Sequence, residues 1–324
     1  MNNEQVELLN LMADDIAAAP ESHYKYSDVL WKAMGEKITG WLYDVGVHNC
    51  QAQIYNQSFS LILGQLTFKN SMYLFYELLK LKDKYNLLSL TTALPTGDAS
   101  LECDAASVNG RDPSRGTKLL TWDYLISMNT IINIATLYPD IVDKAIVVGE
   151  LGAGWGRIAY YLTQVNKLIS YNIFDVPPVL FISHEYLSDN LHHQHVVQYR
   201  DTREFDSFDR NFLLDAPGVR FYLSSDLVKF APKSIDLFIS VATFQEMSLE
   251  QTTAYFDDID RLSNYFYNQQ RYSEGKHIHT NGWNGPTMDF DMYPNKSNWN
   301  CLLDQDVAFN PIWFEQFYKI DPTL

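Results

Sequence analysis

Cysteine is scarce: the 324 residues hold Cys50, Cys103 and Cys301, and no CxxC pair. Scattered thiols exclude a disulfide framework and a thiolate zinc site, and they point to a reducing compartment. Positive charge is short as well. Lys and Arg total 24 against 40 Asp and Glu, a formal net charge of -16, and the basic residues form no run. Phosphate backbones and anionic lipid heads need clustered cations, so nucleic acid and membrane surfaces are excluded as partners. No apolar stretch approaches the ~18 residues of a membrane helix. The opening Met1-Asn-Asn-Glu-Gln-Val6 lacks the basic-then-apolar order of a secretory leader. The expectation is a cytoplasmic protein. What is plentiful is apolar and aromatic: 46% hydrophobic residues, with 21 Tyr and 7 Trp. That suffices for a sizeable core and for sites lined by rings.

The chain has two textures. Residues 1–119 read as mostly helical, a cap or a dimerisation region, with apolar residues at helical spacing in Val6–Leu11, Tyr26–Ile38 and Tyr73–Leu81. Thr91 to Lys118 reads as a loop. From 120 to 324 the pattern becomes that of one α/β domain. Thr121 caps a helix, and short apolar runs then alternate with amphipathic segments: Ala145–Gly149, Tyr171–Phe174, Val219–Leu223, Ile235–Val241 and Tyr265–Tyr267. Such alternation predicts a doubly wound, mainly parallel sheet. Ser248 and Gln251 form a capping box. Residues 271 to 307 read as a long polar-aromatic insertion.

Glu150-Leu-Gly-Ala-Gly-Trp-Gly156 follows the first run. Glycines there let the backbone turn sharply and approach a ligand where a Cβ would clash. The spacing is G-x-G-x-G; a dinucleotide turn needs G-x-G-x-x-G, and Arg157 occupies the place of its last glycine. No Walker segment occurs. An acid followed by G-x-G-x-G resembles the first motif of class I S-adenosylmethionine (SAM) methyltransferases. On that resemblance Glu150, Gly152, Ala153, Gly154 and Trp155 contact SAM. Asp175, ending the second run beside Val176, is placed to accept both ribose hydroxyls. Asp226 and Leu227, after the third run, would meet the adenine, and Thr243 would border the cofactor after the fourth.

More of the chain is similar to the bacterial sugar O-methyltransferase family. The carrying segments are Gly149-Glu-Leu-Gly-Ala-Gly-Trp-Gly-Arg-Ile-Ala-Tyr160, Phe174-Asp-Val-Pro-Pro-Val-Leu-Phe-Ile-Ser183 with Tyr186-Leu-Ser188, and Thr243-Phe-Gln-Glu-Met247. The resemblance covers about residues 120 to 270. It implies SAM as cofactor, S-adenosylhomocysteine as product and a sugar as acceptor.

Methyl transfer to a hydroxyl needs an in-line arrangement and a group that removes the proton. Glu246 is the leading candidate; the alternative is a supporting carboxylate. His277 and His279, on one face if extended, are next, since imidazole titrates near neutrality. They could also ligate a divalent metal, but without an acidic third ligand metal is not favoured. His184 reads as a packed surface histidine, and His192, His193 and His195 as a solvated helix end. Trp283, Phe290, Tyr293 and Trp299, beside Asn281, Asn284, Asp289 and Asp291, suit a lid over a sugar ring. Two other readings stay open: a methyltransferase acting on nitrogen or a phenol, and a non-catalytic SAM-fold protein that binds a partner through its helical region.

Overall fold

A computed structural model describes residues 1–19, 38–40, 42, 65–95, 102–104, 118–192, 195–272, 290–294, 296–308 and 310–321. The chain forms two compact units, one of residues 1–40, 144–156 and 168–324, the other of 41–143 and 157–167.

The first unit is built on an eight-stranded sheet. Its strands are β1 (Val147–Leu151), β2 (Ser170–Asp175), β3 (Val196–Val197), β4 (Gly218–Leu223), β5 (Ile235–Val241), β6 (Ser263–Arg271), β7 (Trp299–Val307) and β8 (Asn310–Ile320). They lie in the order β3-β4-β2-β1-β5-β6-β8-β7. All pairings from β3 to β6 are parallel; β8 runs antiparallel to both β6 and β7. Every residue of β1, β2, β4 and β5 is buried. This is why their sequences read as unbroken apolar runs rather than as alternation. The expected mainly parallel α/β sheet is therefore present.

The order reverses at β1: the chain moves to β2, on to the edge strand β3 and back to β4, then crosses to place β5 on the other side of β1. A crevice opens beyond the carboxyl ends of the strands at such a point. Asp236 holds the opposite end of the same strands. It accepts the backbone N–H of Val147 at 2.9 Å and a bidentate pair from Arg210 at 3.0 Å.

Three helices of this unit bear on the site. α1 (Asn3–Ala18) starts with a reciprocal Asn2/Gln5 capping box and buries Leu8, Leu9, Met12 and Ile16. α2 (Pro177–Asn190) begins with two prolines in its first two positions. There the missing N–H groups have no intrahelical partner to lose. Gln5 bonds Glu185 at 2.7 Å, and Arg203 grips Asp15 twice at 2.7 Å, so α1 is fastened at both ends. α3 (Leu249–Leu262) carries the expected Ser248/Gln251 box.

β7 and β8 differ from the sequence expectation. The last nine residues of 271–307 form β7, and β8 follows. β7 is an edge strand that buries only Trp299 and Val307, so it lacks a period-two signal. β6 extends beyond Tyr265–Tyr267; the apolar run stops short of it because Asn268, Gln269 and Gln270 are buried polar residues.

The second unit contains helices Gln65–Lys82, Trp122–Leu137 and Arg157–Val165, and short antiparallel strands Glu102–Asp104 and Leu119–Thr121. Thr121 caps its helix through the backbone N–H of Tyr124 at 3.1 Å. Among the described residues no helix is long and apolar enough to cross a membrane.

Candidate active site

The turn after β1 places three glycines in the left-handed region: Gly152 at φ +74°, Gly154 at +62° and Gly156 at +86°. Their reasons differ. A Cβ on Gly152 would lie 2.1 Å from Thr243 Oγ1, and one on Gly156 would lie 2.5 Å from Leu187 Cδ1. A Cβ on Gly154 would meet nothing within 4 Å. The outer glycines are packing glycines. The middle one leaves open space against bare backbone, where a ligand can approach. Thr243 binds the turn to β5: its Oγ1 is 3.0 Å from Leu151 O and 3.1 Å from Val241 O. The residue before it, Ala242, has φ +63° and donates its N–H to Gln269 O at 2.9 Å. A non-glycine residue in that region stores ~1–2 kcal/mol of strain.

Carboxylates converge on this edge. Glu150 is buried and accepts the Tyr171 hydroxyl at 2.6 Å. Asp175 ends β2. Its Oδ1 accepts the N–H of Val176 at 2.8 Å, while its Oδ2 is buried with no hydrogen-bond partner. Burial pushes its carboxyl up to about 8, against the pull of the Val176 and Gly154 N–H groups; Glu150 and Glu246 add repulsion. Glu246, in the short turn Phe244–Glu246 beyond β5, keeps some accessible surface. Burial nonetheless raises its carboxyl to about 7, opposed by a hydrogen bond from Gln245. The Tyr255 hydroxyl bonds Ser224 and feels the charge of Asp175. Tyr171, Tyr255 and Ala242 have no signature in the sequence, because only tertiary pairing makes them neighbours of the turn.

The other expected residues fall in varied places. Ala153 and Trp155 are buried in the turn, and the Trp155 ring meets Tyr186 edge-on at 4.8 Å. Val176 caps α2. Leu227 is 1% exposed and belongs to the core. Asp226 accepts the Leu223 N–H at 3.0 Å and pairs with Lys229 at 3.0 Å, fixing the turn after β4. His184 is packed, as expected, but in the interior: it lies against Phe221 at 4.9 Å with Nδ1 3.0 Å from Glu185 Oε1. His277, His279 and His193 lie outside the described residues, as do Asn281, Trp283, Asn284 and Asp289. Of the aromatics expected in a lid, Trp299 stacks on Phe256 at 5.4 Å and donates to Asp260 at 2.8 Å. Phe290 and Tyr293 pack on Phe314 at 4.7 and 5.5 Å. Among the described residues no group of His, Cys, Asp and Glu is arranged to hold a metal ion.

No family model matches the chain, and no curated protein matches it. Among solved structures it is similar to a SAM-dependent methyltransferase from Aquifex aeolicus, at 13% identity and TM-score 0.37, over 57% of this chain and 88% of that one. It is also similar to the magnesium protoporphyrin IX methyltransferase ChlM of Synechocystis PCC 6803 with bound SAM, at 10% identity and TM-score 0.41, over 61% and 82%. The PH0226 protein of Pyrococcus horikoshii OT3 matches at 12% identity and TM-score 0.41, over 62% and 92%.

Proposed function

We propose that the chain binds SAM at the β1 turn and methylates a hydroxyl of a sugar or similar polar small molecule. One observation carries the reading. Asp175 buries an unpartnered carboxyl oxygen beside a turn whose middle glycine, Gly154, faces open space. A buried polar atom without a partner loses ~1–3 kcal/mol, and a pair of ribose hydroxyls supplies donors that would favour the ionised Asp175 over the acid that burial otherwise holds. The backbone around Gly154 admits the rest of the nucleoside.

SAM supplies a methyl group already made electrophilic by its sulfonium. The chain then has to hold the acceptor and take a proton. Glu246, raised to about 7, is suited to that role near neutral pH. Glu246 would take the proton of the acceptor hydroxyl, and bound SAM would supply the methyl and be left as S-adenosylhomocysteine. Asp226 and Leu227 serve this site by shaping the turn after β4. The sugar acceptor is supported by the resemblance of residues 120 to 270 and by the polar-aromatic composition of 281–299.

Calorimetric titration with SAM, S-adenosylhomocysteine and NAD tests the reading. Heat is expected with the first two and not with NAD; silence with both sulfur ligands would sink it. Transfer of labelled methyl to a panel of sugars, nucleotide sugars and phenols then tests the acceptor class, and turnover of phenols alone would overturn the sugar.

A further inference from the structure

Tyr171 stands on β2 and Glu150 on β1, neighbouring parallel strands whose register pairs Val148 with Tyr171 and Glu150 with Ile173. Residues two apart on a strand share a face of the sheet, so Tyr171, Ile173 and Asp175 lie on the face that carries Glu150. Two residues along a strand span about 6.6 Å, an offset that a tyrosine side chain covers. Its hydroxyl donates to Glu150 Oε2 at 2.6 Å. Tyr171 is fully buried, and Glu150 is 2% exposed. β2 holds the turn backbone as well, since Phe174 O accepts the Gly152 N–H at 2.9 Å. One strand thus supports both the first glycine of the turn and the acid before it.

A tyrosine in a sheet interior must find a partner for its hydroxyl, and phenylalanine would fill nearly the same volume without that need. Here the hydroxyl meets a carboxylate at the short distance of a charge-assisted bond. A donor on a carboxylate favours its ionised form, against the effect of burial. Asp175, on the same face, is served differently: its Oδ2 is buried with no hydrogen-bond partner. The two acids therefore suit different groups of one ligand. An open carboxyl oxygen suits hydroxyls, and a carboxylate kept charged suits a cation. With the ribose on Asp175, the cationic donor left in SAM and S-adenosylhomocysteine is the α-ammonium of the amino-acid end.

We propose that Tyr171 is a positioning residue for the cofactor: from β2 its hydroxyl holds Glu150 ionised and turned toward the α-ammonium at the amino-acid end of SAM. The proposal rests on the reading of the β1 turn as the SAM site. It divides the edge between a ribose acid, Asp175, and an ammonium acid, Glu150, with Tyr171 acting only through the second.

The test is calorimetry on the full chain with two probes. S-adenosylhomocysteine carries the ammonium; 5′-methylthioadenosine keeps the nucleoside and the thioether and lacks the amino-acid end. Tyr171→Phe removes only the hydroxyl. It should weaken S-adenosylhomocysteine by at least about tenfold and leave 5′-methylthioadenosine within about twofold. A packing role would weaken both probes alike or neither, and either result would overturn the proposal. Glu150→Gln, with and without Tyr171→Phe, closes the cycle. Once the carboxylate is gone, losing the hydroxyl should weaken S-adenosylhomocysteine no further; a further loss would overturn the proposal. That pair carries the test alone if Tyr171→Phe by itself fails to fold. A wild-type chain that binds neither probe would overturn the cofactor reading and this proposal with it, whereas the failures above, seen with a wild type that binds both, overturn the role of Tyr171 alone.

Discussion

Thr243 Oγ1 lies 3.0 Å from the carbonyl oxygen of Leu151. That contact ties the end of β5 to the end of β1 at the point where the strand order reverses. It also explains Gly152, since the Thr243 side chain fills the place that a Cβ there would need. The turn is therefore held from the β5 side, and the approach at Gly154 is left clear.

The glycines should separate into two classes on substitution. Gly152→Ala forces a Cβ to 2.1 Å from Thr243 Oγ1 at φ +74° and should lose ~2–4 kcal/mol of stability. Gly154→Ala meets no atom and should lose only ~1 kcal/mol, from its positive φ. Its Cβ would, however, stand in the space assigned to the nucleoside, so S-adenosylhomocysteine should bind at least roughly tenfold more weakly. Urea unfolding and calorimetry measure the two effects. Unchanged binding in Gly154→Ala would remove the turn from the site.

Asp175 should make stability fall with rising pH. Its folded carboxyl titrates at about 8, far above the ordinary value near 4, because burial disfavours the charged form. The folded state therefore binds the proton more tightly than the unfolded chain. This contribution is complete below pH ~4 and is lost as pH rises to 8. Across that window it is on the order of a few kcal/mol. Asp175→Asn has no charge to bury, so its stability relative to wild type should improve between pH 5 and pH 8. The same variant should bind SAM poorly, having lost an acceptor for the ribose. Parallel urea curves for the two proteins at both pH values would contradict the buried charge; unaltered SAM affinity would free Asp175 from cofactor duty.

The parts of the site legible in the sequence are those written in local pattern. Glycine spacing, the acid closing β2 and the double proline of α2 each follow from a few consecutive residues. The second half of β6, and β8, were hidden because Asn268, Gln269, Gln270 and Glu315 are buried yet polar. Glu315 is sheltered by the Tyr267 hydroxyl at 2.5 Å and Gln305 at 2.6 Å, partners distant in sequence. Leu227 follows β4 as its place in the sequence suggests, and the 3-10 turn Ser224–Lys229 buries it in the core.

Metal removal should leave methyl transfer intact. The reaction as proposed takes its positive charge from the sulfonium and its base from Glu246, so no Lewis acid is required. Full activity in excess chelator, and retained activity in a His277→Ala/His279→Ala variant under the same conditions, is the expected outcome. Loss on chelation restored by a divalent ion would make those histidines ligands.

Glu246→Gln should separate chemistry from binding. The substitution keeps the shape and removes the proton acceptor, so turnover should fall by roughly 10²–10⁴-fold. SAM affinity should change little, because the ribose is assigned to Asp175. In the wild type the rate should rise with pH through about 7 as the Glu246 carboxyl ionises, and then level off. The variant should lose that rising limb. A variant that keeps the limb would move the base elsewhere, with His277 and His279 next in line. A variant that loses SAM binding would instead place Glu246 against the cofactor, where its charge would act on the sulfonium and not on the acceptor proton.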